Sequence, residues 1–185
     1  MGKPVPPPPP PTVNGWYAGP IIGTLNYSKN ITLQPLAGGV LEFALTTGSE
    51  IDALCKAIAV LPSAMTIAYT LSAPVAPSDF PSSDPLISIA FQRRGDNWSG
   101  RNQYQQYRWY AQASNILAPG SGTFTVDFNS LAWSDVYGIP ASTHPTEFAA
   151  AKAEVETVYI TFGHSSGRSH GVIGTAQFQL TQSTL

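Results

Sequence analysis

The chain has 185 residues, enough for one domain with a genuine core, and a net charge of −2 from nine Lys plus Arg against eleven Asp plus Glu. Charged residues make up 11% of it, under half the usual share of about 25%. That excludes a general nucleic-acid binder, which needs a basic face to displace counterions. Solubility has to rest on Ser, Thr, Asn, Gln and Gly, a composition typical of β-sandwich proteins that work outside the cytoplasm or in particles.

The first stretch, MGKPVPPPPPPT, contains six consecutive prolines, Pro6 to Pro11, and reads as a stiff polyproline II spacer or arm over residues 1–12. It lacks the apolar segment of a signal peptide, and no apolar run in the chain approaches the roughly 18 residues of a membrane span. The expectation is a removed signal or another route of export or assembly, and an extracellular or virion location. Residues 13–185 then read as a single sandwich domain.

Short strand signals follow the arm, each with period-2 alternation or β-branched and aromatic enrichment, separated by Pro and Gly. They are ITLQPL (31–36), LEFALTT (41–47), MTIAYTLS (65–72), LISIAFQR (86–93), YQQYRWYA (104–111), GTFTVDF (122–128), VYITFG (158–163) and AQFQLTQ (176–182). The segment 49–61 is ambiguous: Ile51, Leu54, Cys55 and Ile58 fit a helical face, and a strand through 53–59 fits nearly as well. HPTEFAAAKAEVE (144–156) reads as a helix, with Pro145 at a tolerated first position and Glu147 in the first turn. About eight strands, long loops and one short helix make an all-β, antiparallel jelly-roll sandwich the expected fold.

Within it, FQRRGDNWSGRNQYQQYRWY (91–110) concentrates two of the four tryptophans and four of the five arginines. Alternation sends Ile87, Ile89 and Phe91 one way and Ser88, Ala90, Gln92 and Arg94 the other. In the second strand Tyr107, Trp109 and Ala111 form the apolar face, opposite Tyr104, Gln106, Arg108 and Tyr110. A long hairpin through GDNWSGRN would thus gather Gln92, Arg94, Tyr104, Gln106, Arg108 and Tyr110 on one face, with Trp98 and Arg101 on the loop above. Aromatic rings beside multi-donor side chains suit a glycan: sugar C–H faces stack on rings, and hydroxyls need directional partners. Arginine stacked on tyrosine to cover an exposed sheet face explains the same residues. Trp98, flanked by Gly and Asn, is expected to be partly exposed beside Arg101 and above the Arg94–Arg108 face.

The ordered set FQRRGDNWSG, YQQYRWYA, WSDVYG, FAAAKAEVETVYITFG, HGV and AQFQLT resembles bacterial secreted or envelope-associated β-sandwich domains. These look like galactose-binding-like, carbohydrate-binding-module folds, and the resemblance spans roughly residues 60–182. It implies a jelly roll that binds glycan or cell-surface polysaccharide without catalysis, with adjacent strands in the arginine–aromatic segment and His170 as a buried, hydrogen-bonded histidine. Many modules of that fold hold a structural Ca²⁺. Asp79 and Asp84 are the candidate ligands here, but no Asp-rich loop marks a site, so no cofactor is expected. The absence of a signal peptide raises the alternative of a structural or assembly protein, a phage decoration or tail component or a filament subunit. Its partners would be further subunits, through the Pro-rich arm or a sheet face.

Catalytic patterns fail on inspection. GHSSG (163–167) has the spacing of a nucleophile elbow, but RSHGVIG after it opposes the helix such an elbow needs. His144, His164 and His170 lack metal-ligand spacing, and Cys55, the sole cysteine, has no CxxC partner and reads as a buried structural thiol. A glycosidase pair of carboxylates stays open, but Glu154 and Glu156 sit at a helix end, where solvated surface is the usual state, and Asp127 and Asp135 flank a loop. Arg94-Gly95-Asp96 spells an integrin tripeptide, and Asn26, Asn30 and Asn97 head sequons. Neither motif outweighs the reading of a non-enzymatic binding module.

Overall fold

The structure is a computed structural model that describes residues 11–19, 21–22, 25–26, 28–164 and 168–185. Most of the proline run and the last three residues of GHSSG lie outside the described residues. Nine main strands are β1 (Trp16–Gly19), β2 (Leu41–Leu45), β3 (Ala53–Ala57), β4 (Ala64–Leu71), β5 (Leu86–Arg93), β6 (Arg108–Ala111), β7 (Gly120–Asp127), β8 (Val155–His164) and β9 (Ala176–Ser183). Among the described residues one α-helix, α1, spans Pro145–Ala153.

All pairings are antiparallel. The front sheet runs β1-β3-β8-β5-β6 and ends on the two-residue strand Trp133–Ser134; the back sheet runs β7-β4-β9-β2 and ends on Gln34–Pro35. From β2 onward successive strands cross from sheet to sheet, except for the β5–β6 pair, so that β2, β9, β4 and β7 face β3, β8, β5 and β6. That is the strand order of a jelly roll, and the expected fold class stands. Between the sheets lies one apolar core in which Phe43, Leu54, Ile89, Phe91, Trp109, Ile160, Phe162 and Phe178 are buried. Phe43 and Phe178 stack at 5.0 Å and Phe162 meets Phe178 edge-on at 5.3 Å, tying the sheets together through aromatic contacts.

α1 closes one end of this core. Phe148 and Ala151 are its buried residues, and Phe148 meets Trp109 at 5.0 Å and Phe91 at 5.9 Å. In the back sheet Gly122 is required by a close approach: a Cβ there would lie 2.3 Å from Cζ of Tyr69, its cross-strand partner. The described residues contain no helix long and apolar enough to cross a membrane.

Three expectations need revision. The ambiguous segment 49–61 is a strand, β3, because Ala53 to Ala57 pair on both sides, with β1 and with β8. The strand expected at 104–111 begins only at Arg108; Asn102–Gln106 is a 3₁₀ helix. β5 ends at Arg93, so pairing with its neighbour stops at Arg108↔Gln92 and the bond from the Arg93 N–H to the Tyr107 carbonyl at 2.7 Å. Asn102 starts the turn in the left-handed region at φ 55°, and the Gln106 carbonyl accepts the Trp109 indole N–H at 2.8 Å. Of ITLQPL only Gln34–Pro35 is strand. β1, which no sequence signal marked, adds an edge to the front sheet.

Candidate functional site

The front sheet has two faces, and both are largely dry. Along β8, Thr157, Tyr159 and Thr161 point away from the core, yet their exposures are 5%, 5% and 4%. On β5 the outward Ser88, Ala90 and Gln92 are equally buried. An antiparallel sheet in a sandwich ordinarily leaves its outer face to water. Here Ala53, Cys55, Ala90 and Tyr159 form a second apolar cluster on that face, with Tyr17, Trp98 and Tyr110 packed against it.

Cross-strand register explains how the cluster is built. Tyr17 on β1 pairs with Cys55 on β3, Cys55 with Tyr159 on β8, Tyr159 with Ala90 on β5, and Ala90 with Tyr110 on β6. One row across five strands therefore reads Tyr–Cys–Tyr–Ala–Tyr. Rings stand on alternate strands, about 10 Å apart, with small side chains in the troughs between them. Tyr17 and Tyr110 at the two ends are half-buried, whereas Tyr159 in the middle is buried. Burial raises the Tyr159 hydroxyl well above its ordinary pKa, assisted by neighbouring Cys55, Tyr17 and Tyr110, against a hydrogen bond from Thr157. Burial raises Tyr17 and Cys55 in the same direction. The row is uncharged at neutral pH.

The next outward row is polar: Thr157, Gln92 and Arg108. Gln92 is fully buried; its Oε1 accepts from the Tyr159 hydroxyl, and its Nε2 donates to Asp96 Oδ2 at 3.0 Å. Asp96 has a fully buried carboxylate, 2.7 Å from Nε of Arg108, and its Oδ1 accepts the backbone N–H of Trp98 at 2.9 Å. The Arg108 guanidinium lies over the Trp98 ring, 4.6 Å from its centroid, and that ring meets Tyr159 edge-on at 6.1 Å. Tyr159, Gln92, Asp96, Arg108 and Trp98 thus close a circuit of contacts at one end of the aromatic row. The loop carrying Asp96 and Trp98 folds back over the sheet to complete it.

The eight residues expected to act together divide. Gln92, Trp98, Arg108 and Tyr110 meet on the front sheet as expected, and Trp98 is half-buried. Gln92 is a support beneath the surface rather than a surface group. Tyr104 and Gln106 leave the face because the 3₁₀ helix rotates them out of register: Tyr104 packs edge-on to Tyr107 at 5.0 Å, and Gln106 is buried with Nε2 3.4 Å from Asp135 Oδ2. Arg94 and Arg101 are exposed and join neither row. Arg93, which alternation set aside, stacks on Tyr107 at 4.7 Å and pairs with Glu154 at 2.9 Å. The integrin tripeptide has no free aspartate to offer, since Asp96 is locked to Arg108.

Tyr17, Cys55 and Tyr159 were missed as members of the site. Tyr17 and Tyr159 lie 142 positions apart in a 185-residue chain; the only signal for them was alternation in VYITFG, which puts Tyr159 opposite Ile160. His170 also departs from expectation. Its side chain is half exposed, with Nδ1 3.3 Å from Asp79 Oδ2, because it lies in the loop before the short strand Val172–Gly174 rather than inside the sandwich. Asp79 is thus engaged with a histidine, and the described residues contain no cluster of three or more His, Cys, Asp or Glu placed to hold a metal.

No family model matches the sequence, and no curated protein matches it. Among solved structures, the chain is similar to the family 11 carbohydrate-binding module of the cellulosomal cellulase Lic26A-Cel5E of Clostridium thermocellum. The two are 8% identical over 91% of this chain and 85% of that one, with a TM-score of 0.42. It is also similar to CtCBM11 in its solution structure, at 11% identity over 91% of this chain and 96% of that one, with a TM-score of 0.36.

Proposed function

We propose that the chain is a non-catalytic glycan-binding module whose contact surface is the outer face of the front sheet. The observation that carries the reading is the cross-strand row of tyrosines on alternate strands, Tyr17, Tyr159 and Tyr110. Half-exposed rings at its two ends offer stacking platforms, and the buried middle gives a floor. Arg108 and Trp98 border the Tyr110 end, and Arg108, its charge answered by the buried Asp96, supplies directional donors there. An extended saccharide crossing the strands would meet one ring at each end and shallow troughs between.

Affinity electrophoresis against a panel of soluble polysaccharides, with Tyr17→Ala and Tyr110→Ala, tests the reading. Both side chains are half exposed, so the fold should survive their truncation. Each variant is expected to bind about tenfold more weakly, the usual consequence of losing an aromatic contact worth over 1 kcal/mol. Full affinity in both variants would refute the surface assignment.

A further inference from the structure

Trp98 differs from the core indoles of Trp109 and Trp133. Trp109 donates its indole N–H to the Gln106 carbonyl at 2.8 Å, and Trp133 donates to the Asp127 carbonyl at 3.0 Å. The indole nitrogen of Trp98 is equally hidden, yet has no hydrogen-bond acceptor among the described residues. A buried, unanswered N–H is costly and uncommon in a folded protein. The backbone around it is also held against preference: Trp98 has φ 63°, a left-handed conformation that bulky side chains rarely take.

What holds it there is visible. Asp96 grips the Trp98 backbone N–H and the Arg108 guanidinium together, and Arg108 covers the ring. Gly95 and Gly100 bracket the loop with φ of 79° and 61°, values glycine carries without strain. The indole edge lies at the border of the tyrosine row, beside Tyr159. A ligand oxygen entering the row would be the missing acceptor, provided the loop lifts enough to admit it. Such a hydrogen bond forms only in the liganded state, and so provides the differential interaction any ligand-driven shift needs.

We infer that the Gly95–Gly100 loop is a hinged clamp and that the Trp98 indole N–H is the donor it hands to a hydroxyl or ring oxygen of the bound saccharide. The inference rests on the glycan-binding reading above, and the experiment separates the two. Protein labelled with ¹⁵N at the indole nitrogens is titrated with cellohexaose, xylohexaose, mannohexaose and laminarihexaose while the indole N–H resonances are followed by NMR. Trp98→Phe, which keeps a ring under Arg108 but has no donor, assigns the Trp98 signal by its disappearance. With a saccharide that binds, the Trp98 proton should move downfield while those of Trp109 and Trp133 stay in place. Trp98→Phe should lose roughly fivefold in affinity, the usual worth of one neutral hydrogen bond, with no fall in Tm. A saccharide that binds with the Trp98 signal unmoved, and binds Trp98→Phe at full affinity, overturns the clamp and leaves the glycan reading intact. Absence of binding by all four saccharides overturns both.

Discussion

The outer faces of the two sheets follow the same alternation and meet opposite fates. On the back sheet a single cross-strand row reads Ser121, Thr70, Gln179, Glu42 and Gln34. Gln179 donates to Glu42 at 2.8 Å, and Thr66 and Thr125 share a hydroxyl contact of 2.9 Å further along the same face. These side chains are half or fully exposed, so water completes what they leave unmade. On the front sheet the equivalent rows are largely buried, and their polar groups find partners inside. Ser88 donates to the Ala113 carbonyl at 2.9 Å, and Gln92 is held between Tyr159 and Asp96. Alternation decides which face a side chain takes. Whether that face is wet depends on what folds over it, and residues of the loop 94–101 do so here.

That difference can be broken at Asp96. Its carboxylate answers Arg108, Gln92 and the Trp98 backbone at once from a fully buried position. Asp96→Ala would leave a guanidinium that is only 12% exposed without its counter-charge, and would free the strained Trp98 loop. Removing one partner of such a pair costs about 3 kcal/mol, which urea denaturation would measure as a lower midpoint with little change in slope. A loss under about 0.5 kcal/mol would mean that the front face is as wet as the back.

How much of this was legible depended on the range over which each signal acts. The inward set Ile87, Ile89 and Phe91 and the outward set Ser88, Ala90 and Gln92 follow from local alternation, and the structure keeps both. The burial of Gln92 was not legible, because it comes from a loop returning over the sheet and from Tyr159, 67 positions away. Strand YQQYRWYA was half right for a similar reason. Its β propensity is genuine, but β5 stops at Arg93, and an unpaired extension gives way to the turn that the Trp109 indole and Asp135 hold in place. The tyrosine row was invisible, since it needs the register of five strands. The Gly- and Asn-flanked loop suggested a partly exposed Trp98 beside Arg101 and above Arg94 and Arg108; the ring is partly exposed, and Arg108 lies over it, but Arg94 and Arg101 join neither row.

A second, smaller effect separates the faces by pH. Burial holds the Tyr159 and Tyr17 hydroxyls and the Cys55 thiol above their ordinary values in the folded protein. For a group raised on folding, the stabilisation is complete below its unfolded pKa and is lost as pH rises through the folded one. The unfolded values are about 8.5 for Cys and about 10 for Tyr. Tm should therefore be insensitive to these groups through neutral pH and should fall progressively once the pH exceeds about 9. Tyr159→Phe, which cannot ionise, should flatten the alkaline limb. An unchanged limb in that variant would count against the dry front face.

The smallest effect should come from the back sheet. Thr125 is exposed on β7, the terminal strand of the back sheet, and its one side-chain contact is with Thr66 across the strand pair. Thr125→Ala deletes that contact where water can replace it, so the net loss is that of an exposed polar pair, within about 0.5 kcal/mol. No carboxylate, guanidinium or strained backbone depends on the hydroxyl. Saccharide affinity should be unaltered, because Thr125 lies on the opposite sheet from the tyrosine row, with the whole core between them. Calorimetric Tm and affinity electrophoresis, run beside Tyr110→Ala, would check both halves. If Thr125→Ala weakened binding as much as Tyr110→Ala does, the contact surface would have to move to the hydrated face, and its chemistry would be that of hydroxyls and amides rather than rings.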